Sequence, residues 1–121
     1  MNIDNFVYDQ DTVSTYIPDG HSGTVNRRLI SQSKNFHMVL GTLEKGAVAH
    51  RHSHPDLEQG VYVVRGGALV EIDGQSKEIA AGGVMFFPVN TPHRIEATGD
   101  PITQLVIVYS PPLKAHPSSD S

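Results

Sequence analysis

The chain of 121 residues contains neither cysteine nor tryptophan. Without a thiol there is no disulfide framework, no thiolate metal site and no cysteine nucleophile, so any bound metal must be held by nitrogen and oxygen. Positive charge is also sparse. Nine lysines and arginines stand against thirteen acidic residues, for a net charge of −4, and Arg27 with Arg28 is the only adjacent basic pair. With no basic stripe and no aromatics interleaved with one, nucleic acid is not an expected partner. Residues 1–10 are acidic and polar without an apolar run, and nothing elsewhere approaches the roughly 20 apolar residues of a membrane span. Neither leader nor membrane contact is expected, and the expected setting is the cytoplasm, with a small molecule as partner.

A sustained 3.6-residue apolar period is missing as well, and frequent prolines and glycines leave little room for a long helix. Turn signals instead recur at Gly46, Pro55, Gly66–Gly67, Asp73–Gly74, Gly82–Gly83, 90–92 and 99–101. Spacings of roughly 7–11 residues predict an all-β sandwich or barrel. Strand-like runs fall at 36–43, 60–64, 68–72, 76–79, 84–87 and 105–109, with Asp73–Gly74 the strongest hairpin signal. At this length one domain over 1–121 is expected, its barrel core at about 25–110. The residues from 111 to 121, with three prolines and three serines, are expected to form a mobile end.

Against this background the histidines are organised. His52 and His54 are two apart; Pro55 biases His54 away from helix and a β-branched run follows at 61–64, so an extended strand is expected to present both rings on one face. Neutral imidazole is a common ligand of divalent transition metals. A later histidine, His93, follows Gly82 and Pro88 and completes a three-nitrogen set. His50 shares strand parity with His52 and His54 and is a candidate general base, with a cavity-lining role as the simpler reading. Tyr109 shares parity with Leu105 and Ile107, and its hydroxyl is a candidate substrate contact, though packing is the commoner role of such a tyrosine. Met85 and Phe87 read as plain apolar wall. Arg27 and Arg28 read as solvated arginines, with an anion clamp as the weaker alternative.

These residues resemble the two motifs of the cupin superfamily, small RmlC-like members in particular. The first is met by Gly46, His52, His54, Gln59 and Gly66 in the array G-x5-H-x-H-x4-Q-x6-G. The second is met by Gly82, Pro88 and His93, with Asn90 in place of an internal glycine and Ala97 in place of a final asparagine. The resemblance runs from about Met38 to Tyr109 and implies a double-stranded β-helix, or jelly-roll barrel. It implies one divalent transition metal per chain, Mn, Fe, Co, Ni or Zn, held by His52, His54, His93 and a fourth ligand. Counting back from Gly66 makes that ligand Gln59; counting forward from His54 admits Glu58. The resemblance also implies a homodimer.

An amide oxygen in place of a carboxylate leaves the full positive charge on the ion, which favours polarising a carbonyl. The expected function is accordingly a metal-dependent enzyme for a small carbonyl or sugar-derived compound, an isomerase or lyase working through enolisation. The alternatives are a non-haem iron dioxygenase and a non-catalytic metal-containing barrel that holds a small ligand. The small cupins that ketonise unsaturated uronates look similar in size, in their glutamine ligand and in the 109–112 tail. They carry an aspartate and an arginine where this chain has Ile107 and Leu113.

Overall fold

The computed structural model describes residues 1–113 and consists of ten strands in two antiparallel sheets. They are β1 (Thr15–Tyr16), β2 (Thr24–Ile30), β3 (His37–Glu44), β4 (Val48–His52), β5 (Glu58–Arg65), β6 (Gly67–Ile72), β7 (Gln75–Ala80), β8 (Val84–Phe87), β9 (His93–Ala97) and β10 (Ile102–Ser110). One sheet has the order β1-β2-β3-β10-β5-β8, the other β4-β9-β6-β7. Two 3-10 turns, Ile3–Asn5 and Gln10–Thr12, precede them, capped by the side chains of Asn2 and Asp9. Among the described residues no helix is long and apolar enough to cross a membrane. The all-β architecture expected from the turn spacing, and the jelly roll that the cupin resemblance implies, are the observed fold.

Alternation builds the core. On β5 the inward set is Gln59, Val61 and Val63, on β8 Met85 and Phe87, and on β10 Leu105, Ile107 and Tyr109, all buried. Ala49, Ala68, Val70, Ile95 and Ala97 close the space from the other sheet. Glu58, Gly60 and Tyr62 take the opposite parity on β5 and face outward or lie at the margin. The Asp73–Gly74 hairpin joins β6 to β7 with both residues at positive φ, 48° and 83°, the backbone that a two-residue type I′ turn requires.

Thr103 ties the far end of the barrel. Its fully buried hydroxyl donates to the Gly67 carbonyl at 2.6 Å and accepts from the amides of Gly67 and Gly99. Leu113 packs against the core. Leu113 is the third residue of the expected mobile end, 111–121, of which 114–121 lie outside the described residues.

Candidate metal centre

The site forms where β4, β5 and β9 meet. His52 ends β4 and is in register with His93, the first residue of β9. Two residues on, His54 lies beyond the strand, buried, with its carbonyl held by the Asn90 amide at 2.8 Å. Asn90 makes that reach at φ +60°. Asparagine is among the few side chains that tolerate this left-handed backbone, which explains why it can stand where the motif has glycine. Gln59 is the second residue of β5, opposite Phe87 on one side and Tyr109 on the other.

One ligand nitrogen from each of His52, His54 and His93 lies within 4.8 Å of the others, a spacing that an ion with bonds of about 2.0–2.1 Å closes by small ring rotations. The hydrogen bonds behind the rings fix which nitrogen faces the site. His52 Nδ1 lies 2.6 Å from the His50 carbonyl and His93 Nδ1 lies 2.9 Å from the Thr91 carbonyl. A carbonyl can only accept, so Nδ1 carries the proton in both and Nε2 keeps its lone pair for the centre, the arrangement usual behind metal-binding histidines. His93 Nε2 and Gln59 Oε1 are buried without a hydrogen-bond partner among the described residues. Buried polar atoms are rarely left so, and a cation at this point satisfies both. Burial, with smaller contributions from His52 and His54 and some opposition from the Thr91 carbonyl, pushes His93 down to about 4. Its ring is therefore neutral near pH 7, the form that binds a metal. The residues present fit a divalent transition metal with three nitrogens and one amide oxygen.

The two candidates for the fourth ligand differ in parity. Gln59 shares its face with the buried Val61 and Val63 and lines the cavity, whereas Glu58 is exposed.

His50 stands differently from its expected place. Between Ala49 and His52 the register of β4 shifts by one residue against β9, so that His50 and Arg51 together oppose Arg94. Such a bulge breaks the alternation, and His50 is exposed and absent from the cavity wall. The shared parity of 50, 52 and 54 thus does not carry His50 inward. Tyr109 does line the cavity, its ring edge-on to His54 at 6.3 Å between centroids. Phe87 is more than wall: its ring stacks on His93. Arg27 and Arg28 lie away from the cavity, Arg27 beside Asp11 and Arg28 bonded to Ser14 and seated over the Tyr16 ring at 4.2 Å.

The cavity in front of the histidines measures about 30 Å³, room for roughly two water molecules. Beyond the histidines, Gln59 and Tyr109, its described lining includes Tyr16, His21, Thr24, Asn26, Ile107 and Leu113, with no lysine, arginine, aspartate or glutamate. Ile107 and Leu113, the positions where the uronate-ketonising cupins carry an aspartate and an arginine, thus both face the cavity as apolar groups.

His21, Tyr16 and Asn26 were not visible as site residues in the sequence, since they precede both motifs and follow no fixed spacing. His21 bridges to Ala49 and its ring centroid lies 6.3 Å from that of His52. Burial first, then the neighbouring His52 and His50, push it down to about 4. The polar Thr24 and Asn26, both buried on β2, are the only sequence hint that this strand faces something other than packed apolar core.

A jelly roll with three histidines gathered between its sheets, two of them buried, defines a small β-barrel with a candidate metal centre. Residues 39–109 match the cupin domain family, and the chain belongs to that family. It is 32% identical over 74 residues to the polyketide synthase CurC of Streptomyces cyaneus, covering 61% of this chain and 48% of CurC. The chain spans about half the length of the curated relatives it matches. Among solved structures, KdgF from a Halomonas species is 25% identical with a TM-score of 0.72, covering 76% of this chain and 82% of KdgF. The polyketide cyclase RemF from Streptomyces resistomycificus superimposes with a TM-score of 0.75 at 19% identity, covering 86% and 78% of the two chains, a likeness of fold.

Proposed function

We propose that the protein is a metal-dependent enzyme that enolises a small carbonyl compound, as an isomerase or lyase. The observation that carries this reading is a donor set of three imidazoles and the Gln59 amide, with no carboxylate among them or elsewhere in the described cavity wall. A divalent ion held by His52, His54, His93 and Gln59 would supply Lewis acidity to a carbonyl oxygen, undiminished by any anionic ligand. Tyr109, which lines the cavity, would donate its phenolic proton to an oxygen that gains negative charge there. His21, neutral at physiological pH and with its Nδ1 unpartnered among the described residues of the cavity wall, would accept the α-proton that enolisation releases. His50, exposed on the bulge, is left without a catalytic part. The partial match to a polyketide synthase accords with a substrate whose chemistry turns on carbonyl groups and their enols.

The test is deuterium exchange. Protein loaded with Zn or Mn is incubated in D2O with simple α-hydroxy ketones and β-diketones and followed by proton NMR. Metal-dependent loss of the signal of the proton alpha to the carbonyl is expected. Absence of exchange in protein shown to carry metal would overturn the enolisation reading. Rapid oxygen consumption by the iron-loaded protein would replace it with the dioxygenase, and binding without exchange with the ligand-holding barrel.

An exposed apolar row supports the homodimer: Tyr62 and Val64 on β5 beside Val84 and Phe86 on the edge strand β8. Contiguous apolar surface of this kind marks association sites. Phe86→Lys is expected to shift the mass measured by light scattering from two chains to one, and a wild-type mass of one chain would end the proposal.

A further inference from the structure

Two buried polar atoms in the cavity are left over once the metal ligands are assigned: His21 Nδ1 and Asn26 Oδ1, neither with a hydrogen-bond partner among the described residues. Asn26 is the more constrained. It is 4% exposed, in the middle of β2, and its Nδ2 donates to the Tyr16 hydroxyl across a long 3.4 Å. Tyr16 is itself fixed by the Arg28 guanidinium over its ring. The amide is thereby oriented with Nδ2 engaged and Oδ1 left over, and both residues belong to the cavity wall.

Gly41 gives this oxygen its space. Gly41 pairs with Asn26 across β2 and β3, and a Cβ on it would lie 3.1 Å from Asn26 Oδ1 and 3.6 Å from the methyl carbons of Ile107 and Leu43, all cavity wall. Glycine inside a strand is unfavourable and marks close approach by another group. Here it keeps open the room in front of a lone acceptor.

An acceptor with no donor selects for a donor. A hydroxyl on the ligand reproduces the hydrogen bond that water would make to Oδ1; a methyl group leaves the oxygen buried and unpaired, and a carboxylate adds repulsion with no lysine or arginine in the described wall to offset it. We propose that Asn26 determines specificity. Its Oδ1 accepts a hydrogen bond from a hydroxyl of an uncharged hydroxycarbonyl ligand whose other oxygens lie toward the histidines. The substrate class is thus neutral and hydroxylated, and acids are disfavoured. This rests on the metal-centre reading above. Because the cavity is small, a ligand of several carbon atoms needs the loop that carries Pro18 and His21 to move outward, while Tyr16 stays paired to β2 through β1 and keeps Asn26 oriented.

The experiment uses three probes with one metal-chelating hydroxypyranone head and different substituents: kojic acid with a hydroxymethyl group, allomaltol with a methyl group, and comenic acid with a carboxylate. Zinc uptake is measured first, and a chain that takes up no zinc overturns the metal centre before Asn26 is tested. Calorimetry on zinc-loaded protein is expected to show kojic acid bound about 10-fold more tightly than either analogue, the worth of one hydrogen bond to a buried acceptor. Asn26→Leu should abolish the preference for kojic acid over allomaltol while allomaltol affinity holds. Gly41→Ala, which keeps Asn26 but crowds its oxygen, should weaken kojic acid more than allomaltol, and it stands as the second variant should Asn26→Leu not fold. Comenic acid as the tightest ligand would mean that the amide turns its NH2 inward, and would overturn the proposal. So would a hydroxymethyl preference that survives Asn26→Leu, or zinc-loaded protein that binds none of the three.

Discussion

Phe87 and His93 lie face to face, ring centroids 4.0 Å apart and planes 3° from parallel. One is the last residue of β8 in the six-stranded sheet and the other the first of β9 in the four-stranded sheet, so the contact holds a metal-site histidine across the gap between sheets. With Nδ1 on the Thr91 carbonyl and one face on Phe87, the ring has little freedom left. Phe87→Leu preserves most of the volume and should cost less than about 1.5 kcal/mol of stability. It should nonetheless weaken metal binding, because the flat support is gone. Phe87→Ala should cost about 3–5 kcal/mol. Denaturant unfolding and a metal titration on the same samples check both.

With Gln59 as the fourth ligand, the centre would keep the full charge of its ion. Wild-type protein purified without added metal or a histidine tag is expected to contain close to one ion per chain by elemental analysis. His54→Ala should lose it, and Gln59→Ala should retain it with lower affinity. Gln59→Glu should bind the ion more tightly yet exchange α-protons more slowly, because the added carboxylate offsets the charge that polarises the carbonyl. Faster exchange in Gln59→Glu would remove the electrostatic basis of the functional proposal.

Acid should unfold the metal-free protein through two histidines. Burial is the main cause that lowers both His93 and His21 from 6.5 to about 4. Between these values the unfolded chain binds more protons than the native one, so stability rises with pH across the window and is lost as pH falls from about 6.5 towards 4. The Tm of chelator-treated protein should fall through that range, and His21→Gln should make the fall shallower. A Tm that does not change from pH 6.5 to 4 would contradict the burial of both rings.

Backbone conformation at Asn90 should matter more than its side chain. Asn90→Gly keeps the positive φ accessible and is expected to leave metal content unchanged. Asn90→Val places a β-branched residue there and should cost roughly 1–3 kcal/mol. Because the Asn90 amide holds the His54 carbonyl, it should also lower metal affinity. Equal metal affinity in the two variants would show that this hydrogen bond does not position His54.

Much of this was legible in the sequence, for particular reasons. Period-two alternation with turn residues at short intervals gave the strands at 60–64, 68–72 and 84–87 nearly to their ends, and Asp73–Gly74 named its own turn. The histidine triad followed from motif spacing, and so did the choice of Gln59 over Glu58, by counting back from Gly66. β2 was not foreseen because its inward residues at one end are Thr24 and Asn26, polar groups that face a cavity and so lack the apolar signature of a packed strand. His21, in the loop between β1 and β2, reaches the site through a single bridge to Ala49 that no local pattern encodes. His50 was misplaced for a related reason: periodicity assumes unbroken pairing, and a bulge is a property of two strands together.

That bulge loosens the link between the number of residues in the first motif and the place of its ligands. Counted from Ala49, an uninterrupted strand would turn residue 51 inward and 52 outward; the added residue hands the inward position to 52 instead. Removal of one residue between Ala49 and His52 would straighten the strand and leave His52 opposite His93, because a single residue would then stand against Arg94. In descent or in engineering, this short stretch can therefore shed a residue as well as exchange its letters, and the residue in excess serves the exposed face that His50 and Arg51 share.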